Sequence, residues 1–136
     1  MRGGVAVTDT IVMPSNGNDL ETCLKNIVDG FKQVKAKCPA LPVAISFAFP
    51  GPADYPNGII GDLGNLPAFR GGVALGPMLA EKFDIPVFIN NDGDLFTYGE
   101  AIAGWLPHIN DLLAKAGTPK RFKNLIGVHN YRLRNP

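Results

Sequence analysis

The sequence predicts an α/β fold, and three observations carry that expectation. Short apolar runs rich in β-branched residues recur at residues 5–13, 42–49, 86–90 and 124–128. Between them lie stretches whose apolar residues repeat at helical spacing. Glycine (16) and proline (12) punctuate the joins, as shaped loops require. The resulting order, β-α-β-loop-α-β-α-α-β, implies a sheet with parallel neighbours and right-handed crossovers. Sites in open sheets of this kind lie beyond the carboxyl ends of strands.

Taken in order, residues 5–13 alternate partly and read as a strand, followed by a turn at 14–18. Asn18, with Glu21 three residues later, resembles a capping box opening a helix. Leu20, Cys23, Leu24, Ile27, Phe31 and Val34 then form one stripe to about residue 37, and Pro39 ends it. The run 42–49, flanked by prolines, reads as a strand covered on both faces. Residues 50–72 read as a long shaped loop. Pro77 suits the first turn of a short helix carrying Leu79 and Phe83. Residues 86–90 read as another buried strand, and Asp92 starts a helix with Leu95, Tyr98 and Ile102 on one face. Residues 107–118 hold a further short helix, and 124–128 a last strand.

Composition narrows the function classes. The 136 residues are 46% apolar and 18% charged, with a formal net charge of +1, which fits a globular domain with a core. Basic residues are scattered apart from Lys120, Arg121 and Lys123 and two arginines near the end, so no nucleic-acid footprint is expected. Cys23 on the helix stripe and Cys38 after it lack a His partner at ligand spacing, so no metal site is expected, and Cys23 reads as a buried thiol. No segment has the layout of a signal peptide or the length of a membrane span, and a cytoplasmic location is the expectation.

Four places could carry chemistry. Asn90-Asn91-Asp92-Gly93-Asp94 follows a strand directly. A carboxylate there could accept a proton from a substrate hydroxyl while a neighbouring Asn bonds other hydroxyls. The same residues also make ordinary helix-cap and turn chemistry, and spacing alone weighs the two readings evenly. Phe49-Pro50-Gly51-Pro52 is a stiff loop with little bulk, open to a ligand's approach, though a plain tight turn is the commoner use. In residues 61–69, Asn65 could bond a sugar and Phe69 could wall a pocket, or Leu66 and Phe69 could simply pin an irregular loop. Gly99, inside a helix, costs about 1 kcal/mol relative to Ala and suggests close packing against it; Glu100 reads equally as a solvated residue. His108 and His129 stand apart in weak contexts, and neither a Ser-His-Asp set nor a Walker-type loop is present.

In register, these segments resemble the ROK family (repressor, open reading frame, kinase), most of all its glucokinase-like members. The resemblance rests on Phe49-Pro50-Gly51-Pro52, Gly58-Ile59-Ile60, Asn65-Leu66-Pro67, Ile85-Pro86-Val87, Asn91-Asp92-Gly93-Asp94 and Gly99-Glu100, and spans residues 5–128. It implies an actin-like, ribonuclease-H-like ATPase fold and phosphoryl transfer from ATP, with Mg, to a hexose hydroxyl. It further implies Asp92 as catalytic base, Asn91 as a sugar-binding residue, and Gly51, Gly64 and Asn65 in loops lining the sugar. Asp94 stands where many members carry Asn, so no role transfers to it.

The departures set further expectations. The family's Asp-x-Gly-Gly-Thr and Gly-Thr-Gly phosphate motifs do not occur in these residues. The chain is therefore expected to be a single incomplete N-terminal domain over residues 1–136, truncated at both ends. It should bind ATP poorly, be inactive alone, and self-associate as a homo-oligomer through uncovered surfaces. The polar tail after Val128 is expected to mark a change of reading frame. The competing expectation is a sugar-binding or regulatory ROK protein without kinase activity; a regulator would need a helix-turn-helix segment before the first strand.

Overall fold

Asp19 starts the first helix. Its carboxylate accepts the Thr22 backbone N–H at 3.2 Å and the Thr22 hydroxyl at 2.6 Å, satisfying a donor that the first turn leaves unpaired. The cap is thus Asp19 with Thr22, one residue beyond the expected Asn18 with Glu21, because a carboxylate offers both oxygens to both Thr22 donors. Helix α1 runs Leu20–Lys37 and ends at Cys38, just before Pro39. Its stripe buries Cys23 and Val28, with Leu20, Leu24, Ile27 and Phe31 half-buried against the core.

The structure, a computed structural model, describes residues 1–2 and 4–118. The expected strand 124–128, the basic cluster at Lys120, Arg121 and Lys123, and His129 lie outside the described residues. The chain divides into two compact units, Met1–Ile89 and Asn90–Pro136.

In the first unit, strand β1 (Ile45–Ala48) hydrogen-bonds to strand β4 (Val87–Asn90), whose last residue opens the second unit. Ile45 N donates to Pro86 O at 2.9 Å. Between them in sequence come a hairpin of β2 (Ala53–Asp54) and β3 (Ile59–Ile60), a 3₁₀ turn at Pro67–Phe69, and helix α2 (Leu75–Phe83). The hairpin is antiparallel, pairing Ala53 with Ile60 and Asp54 with Ile59. Its strands have only two residues each, too short for a periodicity signal, so residues 50–72 read as loop in sequence. The turn is fixed by Asp54, which accepts from the Asn57 backbone at 3.3 Å and its Nδ2 at 2.7 Å. Gly58 follows with φ +68°, a region other residues avoid. Ile60 and Val73 then exchange two backbone bonds of 2.8 Å.

Several expectations change here. Residues 5–13 form no strand; only an isolated bridge between Arg2 and Val5 appears. Ile11 and Met13 are half-buried while Val12 is 86% exposed, so the alternation is real, yet no ladder partner converts extended chain into strand. Among the described residues the β1–β4 pair is covered on one face. Ile45 and Ile89 are buried, whereas Ser46, Ala48 and Phe88 (60% exposed) face outward. An unbroken apolar run does not by itself report two covered faces. Phe69, a candidate pocket wall, is wholly buried and packs on Phe49 with ring centres 5.4 Å apart, so its reading as a loop anchor holds. The core consists of Phe69, Ile60, Leu63, Leu75 and Leu79, wholly or almost wholly buried, with Cys23, Val28, Phe49 and Ile89 around them.

In the second unit, α3 (Asp92–Ala103) and α4 (Trp105–Lys115) form a helical pair, which the sequence placed within a few residues. The expected stripe of α3 is not buried: Leu95 is half-buried, but Tyr98 and Ile102 are exposed, because α3 buries none of its residues. Among the described residues nothing lies within 4 Å of where a side chain on Gly99 would begin. The tight position is Gly104 instead, where a side chain would fall on Glu100. Glu100 itself accepts the Trp105 N–H at 3.0 Å, which orders the elbow between the helices. Among the described residues no helix is long and apolar enough to cross a membrane.

Candidate functional site

The site expected from sequence has its residues in both units, each half with its own local logic. In the second unit, β4 ends at Asn90 and the chain turns at once into α3. Asn91 caps that helix. Its Oδ1 accepts the N–H of Gly93 at 2.9 Å and of Asp94 at 3.2 Å, and the residue is only 8% exposed. Capping therefore belongs to Asn91, and Asp92 is the first helical residue. Asp92 is exposed; its Oδ1 takes the Gly93 N–H at 2.9 Å, leaving the carboxylate presented to solvent. Asp94 is half-buried in the first turn, and Thr97 Oγ1 donates to Gly93 O at 2.8 Å. The sequence weighed general base against helix cap for Asp92; the cap falls on its neighbour Asn91.

In the first unit, Gly51 follows β1 and Phe49 in an exposed turn, joined to Pro52 by a cis peptide bond. Pro52 O accepts Gly61 N at 3.0 Å, and Tyr55 Oη donates to Phe49 O at 2.8 Å, so the Gly51 loop is tied down on both sides. Gly64 and Asn65 are exposed, between buried Leu63 and half-buried Leu66. Their loop is closed by Asp62, whose Oδ1 accepts Gly71 N at 2.8 Å, and by turn bonds from Phe69 N to Leu66 O and Arg70 N to Pro67 O.

Sequence reasoning missed the support beneath this loop. Gly17 O accepts Ala68 N at 3.2 Å, and a side chain at Gly17 would strike Leu66 and crowd Asn65 O. The turn holding Gly17 is in turn held by Asn26 of α1, whose Nδ2 donates to Pro14 O at 2.9 Å and to Asn16 Oδ1 at 3.0 Å. The available signal is a lone Asn next to Ile27 on the helix stripe. Behind the loop lies a cavity of about 340 Å³, lined mainly by apolar side chains of α1, β1, Ile11, Met13 and Leu66. Cys23 lines it; burial, and then the Asp19 charge, push its thiol pKa up, which disfavours the thiolate. The cavity has no acid or base.

Among the described residues no three His, Cys, Asp or Glu side chains converge in a way that could hold a metal ion.

No family model matches the chain, and no curated protein does. Among solved structures, a glucokinase from Parabacteroides distasonis ATCC 8503, a crystal structure at 3.00 Å, is similar with 60% sequence identity and a TM-score of 0.78. The match covers 90% of this chain but 35% of that one, so the chain spans about a third of the glucokinase's length. Over nine-tenths of its length, this α/β chain is similar in sequence and structure to part of a glucokinase.

Proposed function

We propose that this chain is the sugar-side portion of a glucokinase-like hexose kinase of the ROK family, an incomplete N-terminal domain of the actin-like ATPase fold. The observation that carries the proposal is the 60% identity to a glucokinase over 90% of the chain. The arrangement at Asn91 and Asp92 supports it, since an exposed carboxylate set at a helix start suits a general base for a hydroxyl. In a complete enzyme of this kind ATP, with Mg, would supply the phosphoryl group. Asp92 accepts the proton of a hexose hydroxyl as that oxygen takes the phosphoryl group and ADP leaves. Asn91 binds the hexose and also fixes the helix end that carries Asp92, and Gly51, Gly64 and Asn65 line the hexose. A cytoplasmic location and homo-oligomeric assembly belong to this reading; nucleic acid and membrane do not.

The 136-residue polypeptide by itself turns over no hexose, because catalysis needs preorganised charge around the transferring phosphoryl group. The test is a chimera in which this chain replaces the matching third of the P. distasonis glucokinase, compared with the chain alone. Glucose-dependent ADP formation by the chimera, reduced about 10²–10⁴-fold by Asp92→Asn, is expected. Full turnover in the Asp92→Asn chimera would leave Asp92 a helix-start residue and sink the assignment.

A further inference from the structure

We infer that Asn26 and Gly17 are positioning residues for the sugar-binding loop, acting from behind it through Leu66 and Ala68. The inference rests on the hexose reading of Gly64 and Asn65 given above. Gly17 and Asn26 both lie outside that set.

Four contacts in the first unit tie Asn26 and Gly17 to the loop. Asn65 is exposed and has no regular secondary structure to hold it. Its neighbour Leu66 is the point at which the loop touches something rigid. There Gly17 lies so close that any side chain on it would enter the space of Leu66 Cδ2, with Asn65 O only 3.3 Å away. The contact is reinforced by the bond from Ala68 N to Gly17 O at 3.2 Å. The turn bearing Gly17 is irregular, with Asn16 at φ 45°, a conformation few side chains adopt without support. That support comes from Asn26, which bonds both Pro14 O and Asn16 Oδ1 from a regular helix of 18 residues. Helix α1 thus acts as the rigid post, Asn26 as the bracket, and residues 14–17 as the arm that sets the height of Asn65. Loops that bind ligands depend on such support, since a displacement of about 1 Å can cost on the order of 10²-fold in rate or affinity.

Two substitutions separate this role from general stability. Gly17→Ala displaces the Leu66 side chain, which packs against the core, and presses on Asn65 O; Asn26→Ala frees the arm. In the chimera described above, each should raise the KM for glucose roughly tenfold while changing kcat and the KM for ATP less than about threefold. Adding Leu66→Ala to Gly17→Ala should recover part of the loss, since it vacates the contested space. On the 136-residue chain, amide NMR should show Gly17→Ala shifting Asn65, Leu66 and Ala68, with the amides of α2 unmoved. Equal losses in all three kinetic parameters would mean a merely structural role and overturn the inference. So would a Gly17→Ala spectrum in which Asn65 and Leu66 stay in place, whatever the chimera does. An inactive unsubstituted chimera would instead count against the hexose reading, with the NMR arm still deciding whether Gly17 sets the loop.

Discussion

Gly76 in α2 and Gly58 in the β2–β3 turn meet backbone to backbone, and Gly76→Ala tests how much that contact holds the first unit together. A methyl group on Gly76 would lie 2.9 Å from Gly58 Cα and 3.4 Å from Gly58 O. Carbon atoms in ordinary contact stand about 3.5–4.0 Å apart, so the two backbones must part by roughly 0.7 Å. The bond from Gly76 N to Gly58 O, now 2.9 Å, would then stretch out of hydrogen-bonding range in a buried place. Forced overpacking costs about 1–3 kcal/mol, and a buried backbone pair left unmade a further 1–3. Against this stands the helix propensity of Ala over Gly, at most about 1 kcal/mol and less in a first turn. The net expectation is a loss of about 2–4 kcal/mol. Urea unfolding followed by far-ultraviolet circular dichroism measures it, as a midpoint lowered by about 1–2 M at an unchanged slope. Gly64→Ala is the control: it faces open space with no positive φ, so about 0.5 kcal/mol or less is expected. If Gly76→Ala unfolded within 0.5 kcal/mol of the parent, or Gly64→Ala lost as much, the close-contact argument would be wrong.

Three further outcomes are expected. Phe69→Ala empties the centre of the core and should cost about 3–5 kcal/mol by the same unfolding measurement; a loss below 1 would place Phe69 at the surface. Asn91→Ala removes both cap bonds and should cost about 1 kcal/mol, read as faster hydrogen exchange at the Gly93 and Asp94 amides and not in α4. The Thr22 hydroxyl, then its backbone N–H, hold the Asp19 carboxyl below its ordinary pKa, so the unfolded chain binds that proton more tightly. The stabilisation is complete above the unfolded pKa and fades as pH falls through the folded one. Asp19→Asn should therefore flatten part of the stability loss below about pH 4, the remainder coming from groups such as Asp29, whose carboxyl is held down by Lys25. An unchanged acid limb in Asp19→Asn would count against the cap.

What could be read in advance was whatever a local pattern encodes. The stripe from Leu20 to Val34 foretold α1 to its last turn, and Pro77 with Leu79 and Phe83 foretold α2, because each helix is set by spacing within its own residues. Residues 5–13 misled because a strand exists only with a partner, and β-branched composition says nothing of who pairs with whom. The β2–β3 hairpin escaped notice because Asp54, Asn57 and Gly58 signal a turn while the strands beside it are too short to alternate. At the candidate site, Asn91-Asp92 was visible as a motif, but its division of labour depends on which Oδ1 faces the helix, a matter of one residue in register. Gly17 and Gly104 were invisible as tight positions, since closeness to Leu66 or Glu100 arises only after folding, whereas Gly99 drew attention by helix propensity alone.

Trp105 is the single tryptophan of the chain, 65% exposed at the start of α4, with the His108 ring edge-on at 5.4 Å. Its indole emission therefore samples the second unit from inside it, while the longest helix, α1 with 18 residues, dominates the dichroism signal from the first. Excited where only tryptophan absorbs, one half of the molecule carries a fluorophore and the other, despite Tyr55, stays dark. Emission follows the second unit, whereas dichroism sums α1 and α2 with α3 and α4, so the two traces weigh the halves differently. Traces that superimpose report a single cooperative transition; an emission change at lower denaturant reports the α3–α4 pair loosening while α1 is still wound.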